Sequence, residues 1–138
     1  MKKILFLFFI IIFLKKNKLQ NLNSNFHSIP QLKIDEKDKF KYIQILCNKT
    51  KIFIWGSKKF KFHKNIYESF KKQLNSHYIP IDLCKVLGGG RISFDKKNKK
   101  ILVYGYSNRY GRCKHEKTVK ILKKYYKNYN ITFSNEGY

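Results

Sequence analysis

His63 stands just ahead of a stretch, Asn65 to Ser76, in which Ile66, Phe70 and Leu74 recur at helical spacing. A helix starting there, with Asn65 as its N-cap, offers amide groups that have no carbonyl to pair with and the positive end of the helix dipole. Together these hold anions. An imidazole at that edge titrates near neutrality and is suited to work on a bound phosphate as base or nucleophile. By position alone it reads more simply as an exposed side chain. A second candidate is Gly105-Tyr106-Ser107-Asn108-Arg109-Tyr110-Gly111, between an apolar strand-like run and a helical one. Its turn-forming residues can fold into a nest of amide groups, with the Ser107 hydroxyl as a further donor, or form an ordinary connection. It is not a Walker A loop, since no Gly-Lys-Ser/Thr follows. A third is Gly88-Gly89-Gly90-Arg91, where backbone can approach an anion closely beneath a guanidinium, or simply bend. Lys41 interrupts an apolar strand-like run, as a solvated lysine or as a cation for the same anion.

Other chemistries find little support. His27, His77 and His115 have no acidic or cysteine partners at ligand spacing, and none belongs to a candidate motif. The eight acidic residues form neither a carboxylate pair nor a cluster for a divalent metal. No metal site and no cofactor are expected. Cys47, Cys84 and Cys113 are odd in number and widely spaced, which fits neither a zinc site nor a dense disulfide framework. They are expected to be buried or idle thiols, and they do not set the redox compartment.

A net charge of +23 raises nucleic acid or an anionic surface as partner. The excess is nearly all lysine, however, with only Arg91, Arg109 and Arg112 as arginines, and it travels with Asn, Ile, Phe and Tyr. Those residues share A/T-rich codons, and a nucleic-acid surface favours arginine. No nucleic-acid partner is expected.

These residues need a scaffold. At 138 residues, 43% hydrophobic and 17% aromatic, the chain suits one packed domain. Phe40 to Cys47 and Lys51 to Trp55 predict strands, and Ile81 to Leu87 a further strand ahead of the triple glycine. Arg91 to Phe94 and Ile101 to Tyr106 predict a hairpin about a lysine-rich turn. Glu116 to Tyr126 predicts a second helix, and Asn130 to Ser134 a closing strand. Strands and helices interleave without a βαβ repeat, so the expected class is α/β in the α+β sense: one compact domain with a mixed sheet flanked by two helices. The first 28 residues stand apart. Lys2 and Lys3 precede an unbroken apolar run from Ile4 to Leu14, then Lys15, Lys16 and Lys18. The run is short for a bilayer span and has the form of a secretory signal without a clear cleavage site. Signal, anchor and mis-assigned start codon all stay open. Lys15 to Ser28, polar and asparagine-rich, reads as a linker.

Ile29-Pro30, Phe40-Lys41-Tyr42, Phe62-His63-Lys64-Asn65-Ile66-Tyr67, Leu87-Gly88-Gly89-Gly90-Arg91-Ile92-Ser93, Val103-Tyr104-Gly105-Tyr106-Ser107 and Asn135-Glu136-Gly137-Tyr138 occur in an order and spacing that resemble the protein histidine phosphatases of the Janus/Ocnus type. The resemblance covers residues 29–138. It implies a cofactor-independent, metal-independent phosphatase acting on phosphohistidine in proteins, with phospholysine as a further candidate. Its partners would be histidine-phosphorylated proteins, its state monomeric and its location cytoplasmic, a membrane entering only through residues 1–28. At matching positions His63 is the catalytic histidine and Lys41 the cation that orients it and the phosphate. Ser107 and the amides around Lys64 and Arg109 would cradle the phosphate oxygens, and Arg91 is the family's arginine near the substrate. Lys64 and Arg109 depart from the family, which commonly has small residues there. The rival reading is a non-catalytic module that binds phosphoproteins through the same basic cleft.

Overall fold

The computed structural model describes residues 2–138. Its centre is a six-stranded sheet formed by β1 (Leu32–Lys33), β2 (Asp38–Cys47), β3 (Lys51–Gly56), β4 (Cys84–Asp95), β5 (Lys100–Tyr104) and β6 (Asn130–Phe133). The strand order is β1-β3-β2-β4-β5-β6. The two edge pairings, β1 with β3 and β5 with β6, are parallel, and the three inner ones are antiparallel. This is the expected mixed sheet in an α+β domain.

Side-chain alternation divides β2 between two cores. Ile43, Ile45 and Cys47 face one side, with Phe53 and Trp55 of β3, and are covered by Ile66, Phe70 and Leu74 of α2 (His63–Ser76). Phe40 and Tyr42 face the other, with Ile92, Phe94, Ile101 and Val103, and are covered by Val119, Ile121 and Leu122 of α3 (His115–Tyr125). In β4 the phase changes. Cys84 and Val86 belong to the first core, whereas Ile92 and Phe94, also at even positions, belong to the second. The slip lies at the glycines: Gln44 faces Gly88 but Ile45 faces Val86, so Leu87 is an extra residue in the strand. A β-bulge produces this two-against-one count.

Four expectations change. The triple glycine does not end a strand but lies inside β4, and Ile81–Leu83 ahead of it forms a single 3-10 turn. The cysteines at the ends of β2 and β4 are not idle: Cys47 and Cys84 are register partners, and their sulfurs are bonded. Cys113 remains a free, buried thiol. The stretch read as a linker is helical, because α1 runs unbroken over Lys2–His27. Leu22 and Phe26, one turn apart on α1, pack into the first core, followed by Ile29. Pro30 then accepts a hydrogen bond from the Trp55 indole (2.9 Å), which fixes where the chain enters the sheet. The apolar run Ile4 to Leu14 lies on α1 with its side chains 37–73% exposed. Among the described residues no helix is long and apolar enough to cross a membrane.

Candidate active site

α2 begins two residues earlier than its apolar repeat suggests. Phe62, in extended conformation, is the N-cap, and His63 is the first helical residue. Asn65, expected as the cap, sits at the third helical position, where its side-chain oxygen accepts the Phe62 amide (3.3 Å). The apolar stripe starts at Ile66, but the first turn reaches the sheet as well, through His63 rather than an apolar side chain. As the first helical residue His63 is not exposed; it retains 5% of its surface.

Gly89 explains how the imidazole gets in. A Cβ there would meet the Tyr42 carbonyl oxygen at 2.7 Å, His63 Cδ2 at 2.8 Å and Ser107 Cβ at 3.1 Å. The bare backbone is the floor on which His63 and Ser107 converge. Gly90 next to it faces the opposite side, where a Cβ would lie 2.6 Å from His115 Cε1. His63 Nε2–H donates to the Gly90 carbonyl (2.9 Å), which leaves Nδ1 with a free lone pair when the ring is neutral. Burial pushes its pKa below the usual 6.5; the Gly90 contact opposes this, and the charges of Lys41 and Arg91 reinforce it.

The loop after β5 closes the other side. Gly105 and Gly111 both adopt positive φ (73° and 79°). Ser107 and Gly111 exchange two backbone hydrogen bonds (3.1 and 2.8 Å), and the Gly89 amide donates to the Gly111 carbonyl (2.9 Å), so the turn is fastened to β4. The buried Ser107 hydroxyl accepts the Tyr110 amide (3.0 Å), and its own proton stays available. Between loop and helix lies a cavity of about 430 Å³ lined by Lys41, Lys61, Phe62, His63, Lys64, Ser107, Asn108, Arg109 and Tyr138. Four of the nine are cations and none is acidic. The amides of His63 and Lys64, at the head of α2, have no intrahelical carbonyl within reach. Such a pocket suits a small, multiply charged oxyanion.

Of the six residues singled out from sequence, five come together here: Lys41, His63, Lys64, Ser107 and Arg109. Arg91 does not line the cavity. It faces Lys41 across β2 and β4 and lies in an adjoining recess, with its guanidinium 4.0 Å from the centre of the Tyr138 ring. Tyr138 is a wall the sequence reading did not assign, although the closing Asn-Glu-Gly-Tyr was the clue to it. It packs edge-on against Tyr106, while Arg112 holds the Gly137 carbonyl (2.9 Å).

His115 also departs from expectation. It is wholly buried behind the glycine strand, where Tyr42 O–H donates to its Nδ1 (2.6 Å) and its Nε2–H donates to the Gly105 carbonyl (2.8 Å). Thr118 adds a hydrogen bond to the Tyr42 oxygen (3.0 Å), and Gln44 donates to Thr118 (3.0 Å). Burial raises the Tyr42 pKa well above its usual value and lowers that of His115, so both stay neutral. This chain of neutral groups ties α3 and β2 to the first residue of the loop. Among the described residues no three His, Cys, Asp or Glu side chains gather in one place.

Comparison with known proteins accords with this geometry. The profile of the Janus/Ocnus family (Ocnus) matches residues 26–130. The chain belongs to the Janus/Ocnus family. The 14 kDa phosphohistidine phosphatase of Sus scrofa is 34% identical over 120 residues, covering 80% of this chain and 93% of that protein. Its Homo sapiens counterpart is 33% identical, with 80% and 94% covered. Sex-regulated protein janus-A of Drosophila pseudoobscura pseudoobscura is 34% identical over 119 residues, covering 80% and 78%. The Janus/Ocnus match includes α2, the glycine strand and the loop; Tyr138 lies beyond it.

Proposed function

We propose that this Janus/Ocnus member is a protein phosphohistidine phosphatase that uses the cavity at the head of α2. The observation that carries the reading is the state of His63: Nε2–H is spent on Gly90, burial keeps the ring neutral, and Nδ1 is left as the base or nucleophile of a cationic pocket. The names of the pig and human relatives support the substrate class.

In this reading the phosphoryl group of the substrate enters between α2 and the loop. The His63 and Lys64 amides, the amide of Arg109 and the Ser107 hydroxyl take its oxygens, and Lys41 offsets their charge. Two routes use Nδ1. In one, Nδ1 attacks phosphorus and the P–N bond to the substrate imidazole breaks with its electron pair going to that nitrogen. The ring leaves as neutral imidazole keeping the proton on its other nitrogen, and water then releases phosphate from His63. In the other, Nδ1 removes a proton from water as the oxygen attacks phosphorus and the same bond breaks. Neither assigns a step to a bound metal, since a substrate imidazole protonated at its other ring nitrogen is a good leaving group.

The test is hydrolysis of free phosphohistidine and of a phosphohistidine peptide, with and without a chelator. His63→Ala is expected to lose roughly 10²–10⁴-fold in rate while keeping its fold, and His77→Ala to remain active. Wild-type enzyme quenched in alkaline detergent and carrying labelled phosphate, absent from His63→Ala, identifies the nucleophilic route. Binding of the peptide without any turnover would overturn the phosphatase reading in favour of the non-catalytic module.

A further inference from the structure

The cavity does not end at His63. Through Lys41 it continues into a second recess of about 140 Å³, whose wall includes Lys39, Lys58 and Arg91. Lys61, Lys64 and Arg109 stand around the mouth on the other side. No acidic side chain lines either space. Among the described residues the one ion pair is Lys58 with Asp38 (3.4 Å), both exposed, so the other cations here have no acidic partner within 4.0 Å. Cations brought together without counter-charge repel one another and favour an anionic occupant. One phosphoryl group in the pocket answers the cations that line it, whereas Lys39 and Lys58 line the second recess alone.

We infer that the substrate protein presents its phosphohistidine within an acidic segment, whose carboxylates lie along this groove. The inference rests on the phosphatase reading and names its substrate class. Lys39 follows the same face of β2 as Lys41, two residues away, or about 7 Å. An extended peptide has the same pitch, so with phosphohistidine over His63 its residues two to four positions away fall beside Lys39 and Lys58. The half-exposed Phe62 ring, with the Lys61 and Lys64 ammonium groups 5.4 and 5.9 Å from its centre, gives the mouth an apolar patch ringed by charge. A peptide is favoured over nucleic acid because the groove offers no row of stacked aromatics and is mostly lysine.

Two phosphohistidine peptides, identical but for Asp and Glu against Asn and Gln at those positions, test this alongside free phosphohistidine. The acidic peptide is expected to have about 10-fold higher kcat/KM at low salt, carried by KM, with the difference shrinking to about 2-fold near 0.5 M salt as charges are screened. The combined variant Lys39→Gln, Lys58→Gln, at two positions outside the pocket lining, should erase the advantage and leave free phosphohistidine turnover at the wild-type rate. Equal kcat/KM for the two peptides, or an advantage that survives the double variant, overturns the acidic-substrate inference while the phosphatase reading stands. Binding of the acidic peptide in the same groove without hydrolysis of any substrate overturns the phosphatase reading instead. A single-stranded oligonucleotide that displaces the acidic peptide at physiological salt assigns the groove to nucleic acid and overturns the inference.

Discussion

The neutral state of His63 has a consequence for pH dependence. Its folded pKa is depressed below 6.5, chiefly by burial. A proton on Nδ1 removes the lone pair both routes need, so the acidic limb of kcat/KM for free phosphohistidine is expected below pH 6.5. Stability follows the same sign. His63 and His115 both bind a proton less readily folded than unfolded, so the native state loses stability as pH falls through 6.5 and further until the folded groups titrate. Thermal unfolding at pH 7.5 and 5.5 measures it: a lower midpoint at pH 5.5 is expected, and an acidic limb centred above 6.5 would show that His63 is not held neutral by burial. At this scale Lys41, in mid-strand, was picked out by the family resemblance, whereas the convergence of His63 and Ser107 on one cavity was legible, because both stand beside a helix start or a glycine-rich turn. The burial of His63 was not, since it depends on an absent Cβ across the sheet. Nor was the buried place of His115, which belongs to no motif in the sequence; its partners Tyr42 and Gly105 lie on β2 and in the loop after β5.

The decisive element is β4. Its glycines shift the strand by one residue and let a histidine lie on each face, His63 over Gly89 and His115 over Gly90. Gly89→Ala would drive a methyl into Tyr42 backbone and the His63 ring together, and only the ring has room to move. We expect an enzyme that folds with a loss of roughly 1–3 kcal/mol and that loses on the order of 10²-fold in kcat, in keeping with the cost of misplacing a catalytic group. Wild-type kcat in a folded Gly89→Ala protein would mean that the ring position is not set by this strand. Most strands were legible from alternation, and α2 and α3 from their stripes. The continuity of β4 was not, because three glycines carry no alternation and suggest an end. The Cys47–Cys84 pairing was hidden for a related reason: their separation of 37 residues in sequence becomes adjacency only once β2 and β4 are in register.

On the scale of the whole molecule the domain is joined to a long helical arm. The linker reading failed because asparagine and lysine dominate Lys15 to Ser28, but Leu22 and Phe26 stand one helical turn apart and were the sign of a packed face. Beyond them lie eleven consecutive Ile, Leu and Phe residues, in a chain whose net charge is +23 and with no acidic residue anywhere on α1. That is the build of a cationic surfactant, a charged head on an apolar tail. Such a molecule is expected to behave as a colloid. It should adsorb to the air–water interface and gather above a threshold concentration into tail-inward clusters that a mild non-ionic detergent disperses. Ile11→Asp should raise the threshold sharply without altering the head. Sedimentation velocity across a dilution series checks both, and a single slow species at every concentration, detergent or none, would show that the tail is not what governs the behaviour of the chain in water.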